Sequence, residues 1–248
     1  MKPKVIKPLG QGFYGRVRLI KAGQLSYAMK TPLVRSSGVK KTFAKEYLCH
    51  ARLQHPHIIR VDYANEDGMF FEFAGGGTVE EKRQHLQREQ VVNVLKQVVE
   101  ALLYMHGKGY IHRDIKCDNI FLTEALEVKV GDLGVAHAIE DFQEGKKPDF
   151  ESYHLPPEFF QGTLSKEDVV KIDVWSFGVL IWEFLRKNKE DKLPGQVSAR
   201  SLSHRLESGK CKKLDPAGQL CALMVACLDE DPKKRPTMEE VAERLAQV

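Results

Sequence analysis

The residues with the most chemical potential lie in Ile111-His112-Arg113-Asp114-Ile115-Lys116-Cys117-Asp118-Asn119, followed by Asp132-Leu133-Gly134. Asp114, Lys116 and Asn119 fall within six positions, and a further carboxylate, Asp132, follows in a turn next to glycine. That is an inventory for moving a phosphoryl group. Such a transfer asks little covalent chemistry of a protein. It needs a group that takes or orients the hydroxyl proton, a cation on the moving charge, and oxygen ligands for Mg²⁺. Asp114 is the candidate base, Lys116 the candidate cation, and Asn119 with Asp132 the candidate ligands.

The pattern H-R-D-x-x-x-x-N followed by D-x-G resembles the catalytic loop and metal-binding turn of the eukaryotic-type protein kinases. Lys116, two positions after Asp114, is similar to the serine/threonine members. Residues 114–121 and 131–134 also resemble, locally, the with-no-lysine kinases, which lack a strand lysine that this chain carries at Lys30. The resemblance implies an α+β, two-lobed protein kinase fold, with a β-rich small lobe and a mainly helical large lobe. It implies ATP and Mg²⁺ as cofactors, a protein substrate, and transfer of the γ-phosphoryl group to Ser or Thr hydroxyls. Two alternatives stay open: a pseudokinase that binds nucleotide or a partner, and a kinase with Tyr or dual specificity.

The elements that must position these residues can be read from periodicity. Residues 5–30 alternate in the manner of two strands joined through Gly10-Gln11-Gly12-Phe13-Tyr14-Gly15. A β-like run follows this G-x-G-x-x-G, where a dinucleotide fold would open a helix. The resemblance implies that Leu9, Gly10, Gln11, Gly12, Phe13, Tyr14 and Gly15 lie over the nucleotide, with Val17 and Ala28 on the adenine ring. Tyr27-Ala28-Met29-Lys30 is similar to the V-A-I-K strand, which makes Lys30 the phosphate-binding lysine. Residues 40–53 repeat apolar side chains at helical spacing, and Glu46 within them would be the partner of Lys30. His50, one turn on, stands where the family is usually aliphatic.

Phe70-Phe71-Glu72-Phe73-Ala74-Gly75-Gly76-Gly77 reads as a strand entering a flexible connection between the lobes. By the resemblance Phe71 is the gatekeeper, the backbones of Glu72 and Ala74 meet the adenine edge, and Phe121 floors its pocket. The whole of 1–248 is expected to be one kinase domain, with the small lobe over about 1–74 and the large lobe over about 78–248. Residues 88–106 form the clearest amphipathic helix, ended by Gly107 and Gly109. Residues 120–122 and 128–130 read as short strands presenting Asn119 and Asp132. Asp173-Val174-Trp175-Ser176-Phe177-Gly178 opens a helix apolar nearly all round, and Asp231-Pro232-Lys233-Lys234-Arg235-Pro236 is similar to the motif whose arginine pairs with the glutamate of A-P-E, here Glu158. Residues 187–213 read as loop with a short helix.

The segment from Asp132 to Glu158 departs furthest from the family. No Ser, Thr or Tyr occurs between Leu133 and Phe150, and Glu151 replaces the usual Thr seven residues before Glu158. Glu140, Asp141, Glu144 and Asp149 are present instead, so carboxylates or an activating partner would order the segment. A phosphate carries about −1.5 to −2 charge, for which two carboxylates could substitute.

Composition sets the remaining bounds. The 248 residues are 42% hydrophobic and 29% charged with a formal net charge of +4, which suits a globular chain and gives no like-charge arm for nucleic acid. The apolar run 174–185 falls short of the ~20 residues of a membrane span, and Met1-Lys2-Pro3-Lys4 lacks an apolar signal region. A cytoplasmic protein is the expectation. The five cysteines are odd in number and lack C-x-x-C spacing, so buried free thiols are expected over disulfides or zinc.

Overall fold

The computed structural model describes residues 4–12, 15–34, 36–148, 150, 152–186, 214–215 and 217–248. The expectations for Phe13, Tyr14, Asp149, Glu151 and 187–213 fall outside the described residues. The chain opens with β1 (Lys4–Gln11), β2 (Gly15–Ala22) and β3 (Leu25–Pro32), three strands where alternation alone suggests two. Gly23, at φ +65°, makes the second turn. Helix α1 (Ser37–Arg52) follows, and its first turn is capped by the Ser36 hydroxyl, which accepts from the Val39 N–H at 3.3 Å. Strands β4 (Val61–Asn65) and β5 (Gly68–Glu72) complete an antiparallel sheet of order β1-β2-β3-β5-β4.

The chain then crosses to the helical lobe. Strand β6 (Gly77–Thr78) leads into the short α2 (Val79–Lys82), where Thr78 and Glu81 form a reciprocal capping box. Gly76 crosses against the large lobe, its N–H donating to the Leu122 carbonyl at 2.8 Å. Helix α3 (Arg88–Gly107) buries its Val and Leu stripe, as its period requires. Strand β7 (Tyr110–Ile111) precedes the catalytic loop. Strands β8 (Ile120–Leu122) and β9 (Val128–Val130) then form a sheet with β6, with the bounds expected from the sequence. Strand β10 (His137–Ala138) pairs back onto β7.

Among the described residues, helices α4 (Pro157–Gln161), α5 (Lys171–Leu185), α6 (Gln219–Cys227) and α7 (Met238–Ala246) follow. Every residue of α5 from Ile172 to Leu185 is buried, which explains its apolar sequence. The α5 and α6 backbones approach closely at Gly178, where a Cβ would sit 2.8 Å from that of Cys227. Cys49, Cys117 and Cys227 are buried free thiols and Cys221 is partly buried. Among the described residues no helix is long and apolar enough to cross a membrane.

Candidate active site

The catalytic loop hangs from one buried carboxylate. Asp173, in the first turn of α5, accepts from the backbone N–H groups of His112 and Arg113, each at 2.9 Å, and lies 2.8 Å from His106 Nε2. Burial alone would raise its pKa, but these hydrogen bonds and the nearby histidines hold it below the usual carboxylate value. Arg113 has φ 69°, a left-handed conformation costly for a side chain with a Cβ, and its bond to Asp173 helps to hold it there. His112 Nε2 lies 3.1 Å from the Gly131 carbonyl, and its Nδ1 accepts from the Asp114 N–H at 3.2 Å. A carbonyl can only accept, so Nε2 carries the hydrogen of that contact.

Asp114 is thereby aimed. Its Oδ2 accepts from Lys116 Nζ at 2.6 Å and from Asn119 Nδ2 at 2.7 Å, while Oδ1 is buried with no hydrogen-bond partner among the described residues. A carboxylate with one oxygen tied and the other carrying spare lone pairs suits proton acceptance. Asn119 also donates from Nδ2 to the Asp114 carbonyl at 2.9 Å, which turns its own Oδ1 away from that residue.

On the opposite wall, Lys30 Nζ lies 2.7 and 2.9 Å from the two Glu46 oxygens and 3.0 Å from Asp132 Oδ1. Burial works against the ammonium, but Asp132 and Glu46 outweigh it, raise its pKa and keep it charged. Burial pushes the Glu46 carboxyl up against the pull of the same lysine. Asp132 is held below its ordinary value, because Lys30 outweighs the effect of burial. Asp132 has φ 59° and ψ 65° and stays 45% exposed at its side chain, so the carboxylate faces the cleft. A Cβ on Gly134 would meet Asp132 Oδ1 at 3.3 Å and Glu46 Oε2 at 3.5 Å, which keeps that turn small.

The chemistry of these donors fits a hard cation brought in with phosphates. Mg²⁺ is commonly held by one or two carboxylates plus substrate oxygens, and Asn119 and Asp132 are oxygen donors of that kind. Among the described residues no group of three or more His, Cys, Asp or Glu side chains could hold a metal alone.

The remaining expected site residues lie on the small-lobe sheet and where the two lobes meet. Val17 pairs with Lys30 across β2 and β3, and Ala28 pairs with Phe71 across β3 and β5. Phe71, Ala28, Ala74 and Phe121 pack in one apolar cluster between the lobes. Leu9, Gly10, Gln11 and Gly12 are exposed on β1 and the following turn, which Gly12 closes through its N–H to the Gly15 carbonyl at 2.9 Å. The Glu72 N–H is already given to the Arg60 carbonyl at 3.0 Å, so its backbone can offer a ligand at most the carbonyl. His50, buried on α1, places Nδ1 2.9 Å from the Ile59 carbonyl and its ring edge-on to Phe71 at 4.9 Å between centroids. Burial pushes that imidazole down to about 4.

The segment after Asp132 is ordered chiefly by main-chain atoms. Arg113 Nε donates to the Val135 carbonyl at 2.6 Å, and its guanidinium lies 5.6 Å from the Phe150 ring centroid. Lys166 bridges two of the acidic residues, from Nζ to the Glu140 carbonyl and from its N–H to Glu144 Oε1, both at 2.7 Å. Only Glu144 uses its carboxylate in these contacts, because the Glu140 contribution is a backbone oxygen.

Sequence reasoning missed a buried node at Glu183. Its Oε2 accepts from the Cys117 N–H at 3.2 Å and its Oε1 from the Tyr153 hydroxyl at 2.9 Å, joining the catalytic loop to the segment before Glu158. Burial opposes its charge, but His154, Cys117 and Tyr153 draw its pKa down to about 2. The available signal was a carboxylate within the apolar run 177–185 of α5.

The sequence model described as the protein kinase domain matches residues 4–245. Over 256 residues the chain is 29% identical to serine/threonine-protein kinase Nek4 of Mus musculus, an alignment taking in 95% of this chain and 31% of that protein. It is 36% identical over 196 residues to the Aurora kinase of Schizosaccharomyces pombe, with 72% of this chain and 53% of that protein covered. Serine/threonine-protein kinase Nek9 of Xenopus laevis is 29% identical over 255 residues, with 96% of this chain and 27% of the relative aligned. The chain thus spans only part of each relative, from 27% to 53% of its length.

Proposed function

The chain belongs to the protein kinase domain family, and from that membership we propose that it transfers the γ-phosphoryl group of MgATP to Ser and Thr hydroxyls of protein substrates. The observation that carries this reading is Lys30 held at 2.7 Å from Glu46 and 3.0 Å from Asp132, a carboxylate that the charge of Lys116 also reaches. The serine/threonine-protein kinase names of relatives aligned over most of this chain support the acceptor class.

When bound, MgATP supplies the phosphoryl group and the cation that screens its charge. Lys30 would orient the α- and β-phosphate oxygens, with Glu46 keeping the ammonium in place. Ala28, Phe71, Ala74 and Phe121 would line the adenine site. Asn119 Oδ1 and the Asp132 carboxylate would offer their oxygens to Mg²⁺. The Asp114 carboxylate takes the proton of the acceptor hydroxyl, and Lys116, 2.6 Å from Asp114 Oδ2, places its positive charge beside the transferring oxygens. Incubation with γ-labelled ATP, Mg²⁺ and a peptide array, followed by phosphoamino-acid analysis, tests the reading. Label on Ser and Thr is expected, and label on Tyr alone or none at all refutes it.

Phosphorylation of the activation segment is not needed in this reading. Arg113 is already engaged by the Val135 carbonyl and the Phe150 ring, and no loop hydroxyl precedes Ser152. Phosphatase treatment of the purified protein is therefore expected to change turnover less than about twofold, since no phosphate-assisted bond is lost. A large loss that tracks a phosphate on Ser152 or Tyr153 by mass spectrometry would contradict this.

A further inference from the structure

We propose that His50 is a positioning residue for the nucleotide site, whose bond to the Ile59 carbonyl closes a ring of contacts holding Glu46, Lys30 and Asp132 in register. The inference rests on the function proposed above. The ring can be traced contact by contact. Lys30 bonds Glu46 at 2.7 Å and Asp132 at 3.0 Å. Glu46 and His50 stand four residues apart on α1, and therefore on one face of that helix. His50 Nδ1 lies 2.9 Å from the Ile59 carbonyl, and the Ile59 N–H donates to the Val130 carbonyl at 2.8 Å. Val130 ends β9, two residues before Asp132. The helix that presents Glu46 is thus bonded, through one imidazole and the backbone of one residue, Ile59, to the strand that presents Asp132.

The protonation pattern points the same way. The Ile59 carbonyl only accepts, so Nδ1 carries the hydrogen and Nε2 is left as an acceptor. That Nε2 is buried and has no partner among the described residues. An unpaired buried acceptor is unfavourable, and an apolar side chain would occupy the position without it. What histidine supplies there, and an apolar residue cannot, is the Nδ1–H. Two further bonds tie the end of α1 to the large lobe, from Arg52 to the Tyr110 hydroxyl at 2.9 Å and from the Gln54 N–H to the Tyr104 hydroxyl at 3.2 Å. Neither reaches the segment bonded to β9.

The test compares His50→Leu, which fills the space without a donor, with His50→Asn, whose amide can place a donor where Nδ1 stands. Two measurements are made without turnover: the Kd for a non-hydrolysable ATP analogue with Mg²⁺, and amide hydrogen exchange in α1 and β9. His50→Leu is expected to weaken nucleotide binding roughly fivefold, equivalent to about 1 kcal/mol, with faster exchange in both elements. His50→Asn is expected to recover most of both. Wild-type Kd and exchange in His50→Leu would overturn the proposal, as would equal impairment in the two variants, which would leave packing as the whole effect. A wild-type protein that binds the analogue and transfers nothing would refute the proposed reaction and not this inference.

Discussion

Asp114→Asn is expected to lower the rate of phosphoryl transfer by about 10²- to 10⁴-fold, the usual contribution of a general base. Nucleotide affinity should change little. The substitution keeps the size and planarity of the side chain. An amide oxygen in the place of Oδ2 can still accept from Lys116 and Asn119, now 2.6 and 2.7 Å away. The buried Oδ1 position, which has no partner among the described residues, would instead carry an NH₂ that donates and cannot take a proton. In the proposed reaction nucleotide is bound by Lys30, Asn119 and Asp132, which the change leaves in place. Steady-state kinetics with calorimetric nucleotide binding separates the two effects. A variant that retains more than about a tenth of the wild-type rate would mean that the proton goes elsewhere.

Arg235→Ala carries the largest expected effect on stability. Arg235 is 2% exposed and grips Glu158 with two nitrogens, at 2.6 and 3.0 Å. Its Nε donates to the Asp229 carbonyl at 2.8 Å, and its guanidinium lies 4.8 Å from the Trp175 ring centroid. Truncation would leave the buried Glu158 carboxylate without its cation, at a cost of about 3–5 kcal/mol. In a chain of this length each kcal/mol moves Tm by roughly 2–4 °C, so a fall on the order of 10 °C is expected in a thermal melt. The double variant Arg235→Met with Glu158→Leu should recover much of that loss, because no charge remains buried and unpaired. An unchanged Tm in the single variant would contradict the role given to the pair.

These two outcomes rest on features of different legibility. The spacing of Asp114, Lys116, Asn119 and Asp132 could be read because all four sit on one short stretch of backbone whose turns the intervening residues dictate. Strands β8 and β9 could be read for the same local reason. Pairings across the chain, Lys30 with Glu46 and Arg235 with Glu158, were reached through the family resemblance and not through periodicity. No spacing rule joins residues 16 or 77 positions apart.

The contacts that escaped are those where one particular atom meets another across the fold. His106 lies in the last turn of α3, where a histidine ordinarily faces solvent or the helix end, yet it meets Asp173 on α5. Tyr153 and Glu183 converge because α5 runs beneath the segment before Glu158, which no local pattern specifies. At His50 helical spacing places the residue on the Glu46 face. Which nitrogen meets Ile59 depends on where the start of β4 runs. The second turn of the small lobe, at Gly23, was overlooked because alternation continues on both sides of it.

A crystal structure of the protein with Mg²⁺ and a non-hydrolysable ATP analogue tests the central claim most directly. The account predicts phosphate oxygens within bonding distance of Lys30 Nζ, Mg²⁺ held by Asn119 Oδ1 and Asp132, and adenine between Ala28 and Phe121. A nucleotide bound elsewhere, or Lys30 out of reach of both the phosphates and Asp132, would contradict it.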